Sequence, residues 1–268
     1  MSSLLIKPRL DQIVIQNITT ESAGWTYIDF SVIRLSAGQA HAFTARDDRE
    51  YCLTLLTGHA DIEVSGQRHA GLGERMSVFE DKSPYAVYVP PRAEVRVTAL
   101  DAIELAVSAA PATGRLPPRL IEPSAMKRSV RGSGSNTRYI CDILPETAEA
   151  ESLLVVEVLT PAGNTSSYPP HKHDEQSEVE TLLEETYYHR LNPSQGFAFQ
   201  RVYTGDRALD ETMAVEDHDV VLVPKGYHPC GTVHGYDLYY LNTMAGPERR
   251  WRFFNDPDHA WLFDKPLS

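Results

Sequence analysis

The sequence lacks the marks of membrane, secreted and nucleic-acid-binding proteins. No apolar run approaches the roughly 20 residues of a membrane-spanning helix, and the opening residues are too short for the apolar region of a secretory signal. Its three cysteines, Cys52, Cys141 and Cys230, form no CxxC pair and indicate neither a disulfide framework nor a thiolate zinc site. A formal net charge of -12 argues against binding to nucleic acid or to anionic membranes. We therefore expect a cytoplasmic protein without either partner.

Helical periodicity is also scarce, and the pattern that replaces it is one of strands. β-Branched and aromatic residues gather in short runs between glycines and prolines, which is typical of many strands joined by turns. Residues 94–100 alternate polar and apolar side chains, as in a sheet with one face buried and the other exposed to solvent. Further strands are predicted at 137–144, 153–159, 186–190, 197–203, 220–223 and 238–242. The fold class is thus predicted to be all-β.

A proline-rich stretch divides the chain into two halves. Residues 109–123 contain four prolines and a glycine, too many breakers for the interior of a sheet. We predict one domain at 1–115 and a second at 116–268. Residues 88–91 and 221–224 are both apolar strands that end in proline, and two related barrels would explain this similarity.

The second half contains a spacing of histidines that suits a metal ion. On a strand, residues two apart point to the same face, so His171 and His173 can offer two imidazoles to one ion. Farther along the chain stand a Glu184-Glu185 pair and the phrase Pro-x-Gly-x-His that ends at His228. Three imidazoles and one carboxylate suit a divalent Zn, Mn, Fe, Co or Ni ion and leave room for a substrate. The combination predicts one catalytic metal ion in the second barrel.

These motifs resemble the two metal motifs of the cupin superfamily. A narrower resemblance, along nearly the whole chain, is to the 5-deoxy-glucuronate isomerases of myo-inositol catabolism, and the segments 130–138, 170–174, 183–190 and 221–229 carry it. That family shares an unusual gap of eleven residues between the second histidine and the glutamate. The resemblance implies a bicupin that converts 5-deoxy-D-glucuronate, an aldehyde sugar acid, into the ketose 5-dehydro-2-deoxy-D-gluconate. The ligands that it implies are His171, His173, Glu185 and His228.

Strand alternation also bears on the choice between the two glutamates. If Glu185 faces inward, Tyr187 and His189 share its face, whereas Glu184 would place Thr186 and Tyr188 inside. Together with the resemblance, this favours Glu185 as the ligand. The remaining histidines of the second half, His189, His218 and His234, are not expected to bind the metal. The first half has no HxH phrase, so we expect its barrel to be free of metal.

Residues beside the motifs are candidates for catalysis and substrate binding. An isomerase of this type needs a general base that moves a proton between neighbouring carbons, and the candidates by proximity are Tyr187, Tyr227 and Glu184. A sugar carboxylate needs a cation, and a guanidinium can pair with it bidentately. The candidates are Arg131, Arg138 and Lys172, although 131–138 also fits a Gly/Ser-rich turn and alternation turns Lys172 away from the metal.

Three other functions remain open on the sequence. A related isomerase acts on a pectin-derived 5-keto-4-deoxyuronate, and a cupin dioxygenase would use the same ligands around iron or manganese. A non-catalytic sugar-binding or regulatory module is the third. Oxygen uptake would identify the dioxygenase, and tight binding without conversion would identify the module. In each case we expect a small sugar acid as the partner and a homo-oligomer as the assembly.

Overall fold

A computed structural model describes residues 2–263, and these are almost entirely strands and turns. The strands of the first half are β1 (Leu5–Ile6), β2 (Val14–Ile18), β3 (Asp29–Leu35), β4 (Ala40–Thr44), β5 (Arg49–Thr57), β6 (Ala60–Val64), β7 (Gln67–Leu72), β8 (Tyr85–Val89), β9 (Glu94–Ala99), β10 (Ile103–Pro111) and β11 (Arg119–Ile121). Those of the second half are β12 (Lys127–Arg131), β13 (Arg138–Leu144), β14 (Leu154–Thr160), β15 (Thr165–Ser166), β16 (His171–Lys172), β17 (Glu184–Asn192), β18 (Ala198–Tyr203), β19 (Asp210–Val215), β20 (Val220–Val223), β21 (Cys230–Thr232), β22 (Asp237–Ala245) and β23 (Phe254–Asn255). The all-β prediction is confirmed.

The few helices are short. One α-helix, Thr20–Ala23, begins with a capping box in which Thr19 and Ser22 exchange hydrogen bonds. Three 3-10 helices span Pro123–Ala125, Gly134–Asn136 and Pro257–Leu262. No helix in residues 2–263 is long and apolar enough to cross a membrane.

The strands form two compact units that exchange short segments. Among the described residues, the first unit comprises 8–127 and 142–155, and the second comprises 2–7, 128–141 and 156–263. A boundary after residue 115 stays a prediction. The first unit includes residues 142–155, which follow residue 115, and the second unit includes residues 2–7, which precede it.

Each unit contains a larger and a smaller antiparallel sheet of matching strand order. In the first unit the orders are β11-β8-β5-β10-β3-β2 and β4-β9-β6-β7. In the second they are β1-β20-β17-β22-β14-β13-β12 and β15-β21-β18-β19, and β16 pairs separately with β23. One to three residues of each of β12, β13 and β14 fall within the ranges of the first unit. The two proline-ended strands noted in the sequence are β8 and β20, which occupy the same place in the two larger sheets.

Alternating strands build the core of the first unit. In β9, Val95, Val97 and Ala99 are buried while the residues between them are more exposed. They pack with Ile62 and Val64 of β6 in one hydrophobic cluster. The central strands β5 and β10 are buried along most of their length, so the larger sheet contributes whole apolar runs to this core.

A buried carboxylate joins the segment 142–155 to the first unit. Glu50, which is fully buried, accepts hydrogen bonds from the backbone amides of Glu151, Ser152 and Leu153 at 2.7, 2.6 and 2.7 Å. The hydroxyl of Tyr88 donates a fourth at 2.7 Å. Because an ionised carboxylate can only accept, three adjacent amides and a phenol satisfy it without a cation.

Candidate metal centre

Four separate elements bring the predicted ligands to one place in the second unit. His171 lies in β16, His173 follows that strand, Glu185 is the second residue of β17, and His228 precedes β21. The three histidines form a group that could hold a metal ion, with ligand atoms within 4.8 Å of one another. Their rings are in contact: the centroid of His228 lies 4.8 Å from that of His171 and 4.9 Å from that of His173.

Glu185 completes this group. Its Oε2 lies 2.9 Å from Nε2 of His173 and 3.2 Å from Nε2 of His228. The side chains of His173, Glu185 and His228 are almost inaccessible to solvent, whereas His171 is partly exposed. One side of the group is thus open, as a site that admits a substrate requires.

The backbone fixes the orientation of two imidazoles. Nδ1 of His173 lies 3.1 Å from the carbonyl oxygen of Leu183, and Nδ1 of His228 lies 2.8 Å from that of Gly226. A carbonyl only accepts, so both Nδ1 atoms carry the proton and both Nε2 atoms turn to the centre of the group. Metal-bound histidines in proteins are held in this way.

The electrostatics of the group reflect its burial and its close charges. Burial, and then the neighbouring imidazoles, lower the pKa of His171 well below its usual value. Burial opposes protonation of His173 too, but its contact with Glu185 outweighs burial and raises the pKa of that imidazole. In Glu185, burial acts to raise the pKa, but the two imidazoles prevail and lower it to about 2.

These side chains fit a divalent cation. Among the described residues, Nε2 of His228 is a buried nitrogen without a hydrogen-bond partner, and Oε2 of Glu185 lies 3.2 Å from it. A cation among the imidazoles and the carboxylate would take up this lone pair and the negative charge of Glu185 together. Nitrogen and carboxylate donors suit borderline metals of the first transition row.

The eleven residues between His173 and Glu185 form a loop that Lys172 closes. Its Nζ contacts Asp174 at 2.6 Å, Glu175 at 3.1 Å and Glu180 at 3.0 Å. The amide of Gly226 in turn donates to Asp174 at 2.6 Å. Three carboxylates therefore surround the ammonium of Lys172, and these contacts favour a structural role for it over substrate binding.

The three candidates for proton transfer have different surroundings. Tyr187 shares the face of Glu185, its ring centroid lies 5.8 Å from that of His228, and its hydroxyl is 2.9 Å from Oγ of Ser167. Glu184 is buried, and strand alternation turns it to the other face. Tyr227 packs its ring against Tyr203 at 5.2 Å. Of the three, Tyr187 alone is placed beside the imidazoles by a measured contact.

Two arginines lie near the histidines. Arg138 begins β13, donates to the carbonyl of Asn136 at 3.0 Å, and interacts electrostatically with His171. Burial lowers the pKa of Arg138, and the charge of Arg131 lowers it further. The guanidinium of Arg131 lies over the ring of Trp251 at 4.9 Å. Both cations therefore lie near the open side of the group.

Several residues around the group were not identified from the sequence. Trp251 and Phe253 form an aromatic wall, with centroids 6.4 and 4.8 Å from that of His171. Tyr240 contacts the Tyr187 ring at 4.8 Å and the Ser166 hydroxyl at 2.6 Å. Nothing in the spacing of these residues indicates the site, because each comes from a distant strand or loop.

The histidines that were not expected to be ligands lie elsewhere in the second unit. His189 is fully buried with Nε2 2.8 Å from Oε1 of Gln200, and burial lowers its pKa to about 4. His218 contacts the hydroxyl of Tyr188 at 2.6 Å, and His234 is exposed. All three cysteines are buried and free.

Comparison with known proteins extends over the whole chain. A 5-deoxy-glucuronate isomerase of Geobacillus thermodenitrificans (strain NG80-2) is 54% identical over 255 residues, which cover 94% of this chain and 92% of the relative. A protein of the same name from Bacillus subtilis (strain 168) is 43% identical over 272 residues, covering 99% and 100%. An IolB-like protein from Salmonella typhimurium LT2 has a TM-score of 0.96 and 51% identity, covering 98% and 100%.

More distant structures share the fold alone. An oxalate decarboxylase of Bacillus subtilis has a TM-score of 0.64 and 13% identity, covering 99% of this chain and 82% of that one. The prediction of two cupin-like barrels is confirmed by this likeness. The model of the KduI/IolB family matches residues 4–262. The chain therefore belongs to the KduI/IolB family.

Proposed function

We propose that this protein is an aldose-ketose isomerase that converts 5-deoxy-D-glucuronate into 5-dehydro-2-deoxy-D-gluconate with the help of one metal ion. The observation that carries the proposal is the meeting of His171, His173 and His228 with Glu185 in a chain whose relatives bear the isomerase name. The group lies in the second unit and is open at His171, where a small sugar acid can approach.

The four side chains are the proposed ligands of a divalent Zn, Mn, Fe, Co or Ni ion. Such an ion would act as a Lewis acid and stabilise the negative charge that develops on the substrate oxygens during enolisation. The protein contributes orientation, because Leu183 and Gly226 fix two imidazoles through their Nδ1 protons. The buried carboxylate of Glu185 contributes charge.

Arg138 and Arg131 are the proposed partners of the sugar carboxylate. Arg138 is held by Asn136 near His171, and Arg131 rests on the Trp251 ring. A guanidinium recognises a carboxylate bidentately, so the acid end of the sugar would be fixed while its aldehyde end reaches the imidazoles. The two arginines would also offset locally the acidic charge of the whole chain.

Tyr187 is the proposed hydrogen-bond donor to a substrate oxygen. Burial, and then the charge of Glu185, raise the pKa of Tyr187 well above its usual value, so its hydroxyl keeps its proton at neutral pH. This hydroxyl can donate a hydrogen bond to a substrate oxygen, and Oγ of Ser167 lies 2.9 Å from it. The sequence candidates Tyr227 and Glu184 are the proposed groups for taking the proton from one carbon and returning it to the neighbouring carbon.

The central experiment is a proton NMR time course with 5-deoxy-D-glucuronate in heavy water. The expected result is that metal-depleted protein leaves the aldehyde signal unchanged and that reconstitution with one of the five metals restores its loss. Deuterium in the product at the carbon next to the new ketone would indicate an enediol, whereas its absence would indicate a hydride shift. Equal turnover by depleted and reconstituted protein would contradict the proposal.

Three alternatives are tested in the same preparation. The pectin-derived 5-keto-4-deoxyuronate is offered as a competing substrate, and the proposed function requires a higher kcat/KM for 5-deoxy-D-glucuronate. An oxygen electrode tests for a dioxygenase, and the isomerase should consume no oxygen during turnover. Binding of the sugar acid without conversion by reconstituted protein would identify a sugar-binding module.

We propose a cytoplasmic location and a homo-oligomeric state as well. Three free and buried cysteines agree with a reducing compartment. Fractionation of the native host would test the location. Light scattering of the purified protein would test the oligomer, with a single chain of 30.0 kDa as the contradicting mass.

A further inference from the structure

The two units place corresponding residues at corresponding positions of their larger sheets. In the second unit, Glu185 of β17 pairs with Val223, the last residue of β20, and a proline follows. In the first unit, Tyr51 of β5 pairs with Val89, the last residue of β8, and a proline follows there too. Tyr51 therefore occupies the position of Glu185.

The smaller sheets extend this correspondence. Thr232 of β21 pairs with the first residue of β18, as Ala99 of β9 pairs with the first residue of β6. His228 and Val95 each lie four residues earlier, so Val95 stands where the second unit has its third histidine. The strand opposite Val95 is β4, in which Phe43 pairs with Val95 and His41 lies two residues earlier.

Tyr51, the counterpart of Glu185, borders a cavity instead of a cluster of ligands. A cavity of about 310 Å³ in the first unit is lined by His41, Phe43 and Tyr51. The ring centroid of Phe43 lies 6.1 Å from that of His41 and 5.7 Å from that of Tyr51. One imidazole beside two aromatic rings does not make a metal site, but the cavity adjoins Tyr51, the residue that occupies the position of Glu185.

The polar lining of this cavity suits an anion with hydroxyl groups. Arg9, Gln12 and Asn17 border it beside His41, and none of the residues that line it is acidic. Within residues 2–263, the side chains of Arg9, Asn17 and His41 have no hydrogen-bond or ion-pair partner. Arg9, Gln12 and Asn17 are exposed at the cavity and His41 is half-buried, so a ligand in the cavity can reach all four side chains.

We propose that the first unit binds a small hydroxylated carboxylate, of the class of the sugar acids, in this cavity. Arg9 pairs with the carboxylate, and Asn17, Gln12 and His41 form hydrogen bonds with the hydroxyl groups. Phe43 and Tyr51 cover the apolar face of the carbon chain. The volume agrees with pockets for small ligands, which begin near 300 Å³. This binding requires neither the metal group nor turnover, so it is independent of the proposed isomerase activity.

The test measures binding of labelled D-gluconate to the full chain by equilibrium dialysis. D-Gluconate is a sugar acid without an aldehyde or ketone, so it cannot be isomerised. The variant is Arg9→Gln, and the expected result is a binding site whose affinity falls at least about tenfold, the effect of losing one charge-assisted contact. D-Glucitol, which has the same carbon chain without the carboxylate, should not compete for this site.

Arg34→Gln is the matched control. Arg34 is exposed in β3 of the same unit, next to Ile33, which lines the cavity, and alternation turns its side chain to the opposite face. His41→Gln is a second variant inside the cavity and should also weaken the Arg9-dependent site. Wild-type protein without a D-gluconate site, or equal binding by Arg9→Gln and Arg34→Gln, would overturn the proposal.

Discussion

The imidazole of His173 and the carboxylate of Glu185 lie 2.9 Å apart, although twelve positions separate them in the chain. The loop between them is closed by two hydrogen bonds between His173 and Leu183: the amide of Leu183 donates to the carbonyl of His173 at 2.8 Å, and the carbonyl of Leu183 accepts from the side-chain Nδ1 of His173. The long gap between the two motifs therefore does not separate the two ligands.

The four proposed ligands should each be required for metal binding. Replacing His173 by Ala or Glu185 by Gln should reduce metal affinity and turnover by more than about 100-fold. Losing a residue that only hydrogen-bonds to a metal ligand already reduces metal affinity or activity about 10 to 100-fold. Metal content by atomic spectroscopy and turnover by NMR would measure this. The control is His234→Ala, which removes an exposed histidine and should change neither. Normal metal content in both ligand variants would refute the assignment.

Lys172 should affect the metal through its loop and not through the substrate. Lys172→Met leaves Asp174 and Glu180 without their cation, so the loop should become more mobile. Metal affinity should then fall about tenfold, as it does when a residue that orients a metal ligand is lost. The KM of the reconstituted variant should stay unchanged. Lys225→Met removes an exposed lysine as the control. A raised KM with normal metal affinity would instead support the substrate role that the sequence suggested.

Arg138 should determine affinity for the substrate carboxylate. Arg138→Gln should raise KM about 10 to 100-fold, since a hydrogen bond to a charged group contributes about 1.5–3 kcal/mol. Steady-state kinetics at fixed metal saturation would measure it. Arg201→Gln, which removes an ion pair with Asp210 on the surface, should leave KM unchanged. If both variants behave alike, Arg138 is not the partner of the carboxylate.

Stability should fall as His189 becomes protonated. Burial lowers its pKa from 6.5 to about 4, so the folded state favours the neutral form. The full stability is present above pH 6.5 and should be lost as the pH falls toward 4, by about 3 kcal/mol for this residue. Urea unfolding of wild type and of His189→Gln would measure it. The variant should lose less stability over this range, and parallel curves would contradict the assignment.

The buried carboxylate of Glu50 should stabilise the first unit. Glu50→Ala leaves the amides of Glu151, Ser152 and Leu153 unsatisfied in a buried place, so the free energy of unfolding should fall by about 3–5 kcal/mol. Chemical denaturation would measure this change. Glu94→Ala removes an exposed carboxylate of the same unit and should cost within about 0.5 kcal/mol. Equal losses would show that the four hydrogen bonds of Glu50 contribute little.

The sequence predicted the strands of the second half closely. Six predicted runs match strands, among them Arg138–Leu144 and Leu154–Thr160, because β-branched residues between breakers are a local signal. Short strands such as Thr165–Ser166 and Cys230–Thr232 escaped prediction. Two or three residues are too few to show the polar–apolar alternation of a strand, and pairing with neighbouring strands decides their conformation.

The sequence indicated the residues of the site that come in motifs, and the structure brings these residues together. His171 and His173 were indicated by their spacing in combination with the later motifs, and Glu185 by strand alternation with the resemblance to a family. Trp251, Tyr240 and Ser167 were not identified, because their chemistry is common and only long-range packing brings them to the imidazoles. For Lys172, the sequence left two roles open, and its three carboxylate contacts favour one of them.

The sequence by itself determined the strand-rich fold and the residue types that can bind a cation, because period and spacing are local properties of the chain. Only the tertiary structure decided that four elements converge, that two imidazoles present Nε2, and that the first unit places Tyr51 and Val95 at the positions of Glu185 and His228. The physical reason is that side chains far apart in sequence meet only when strand pairing fixes the register.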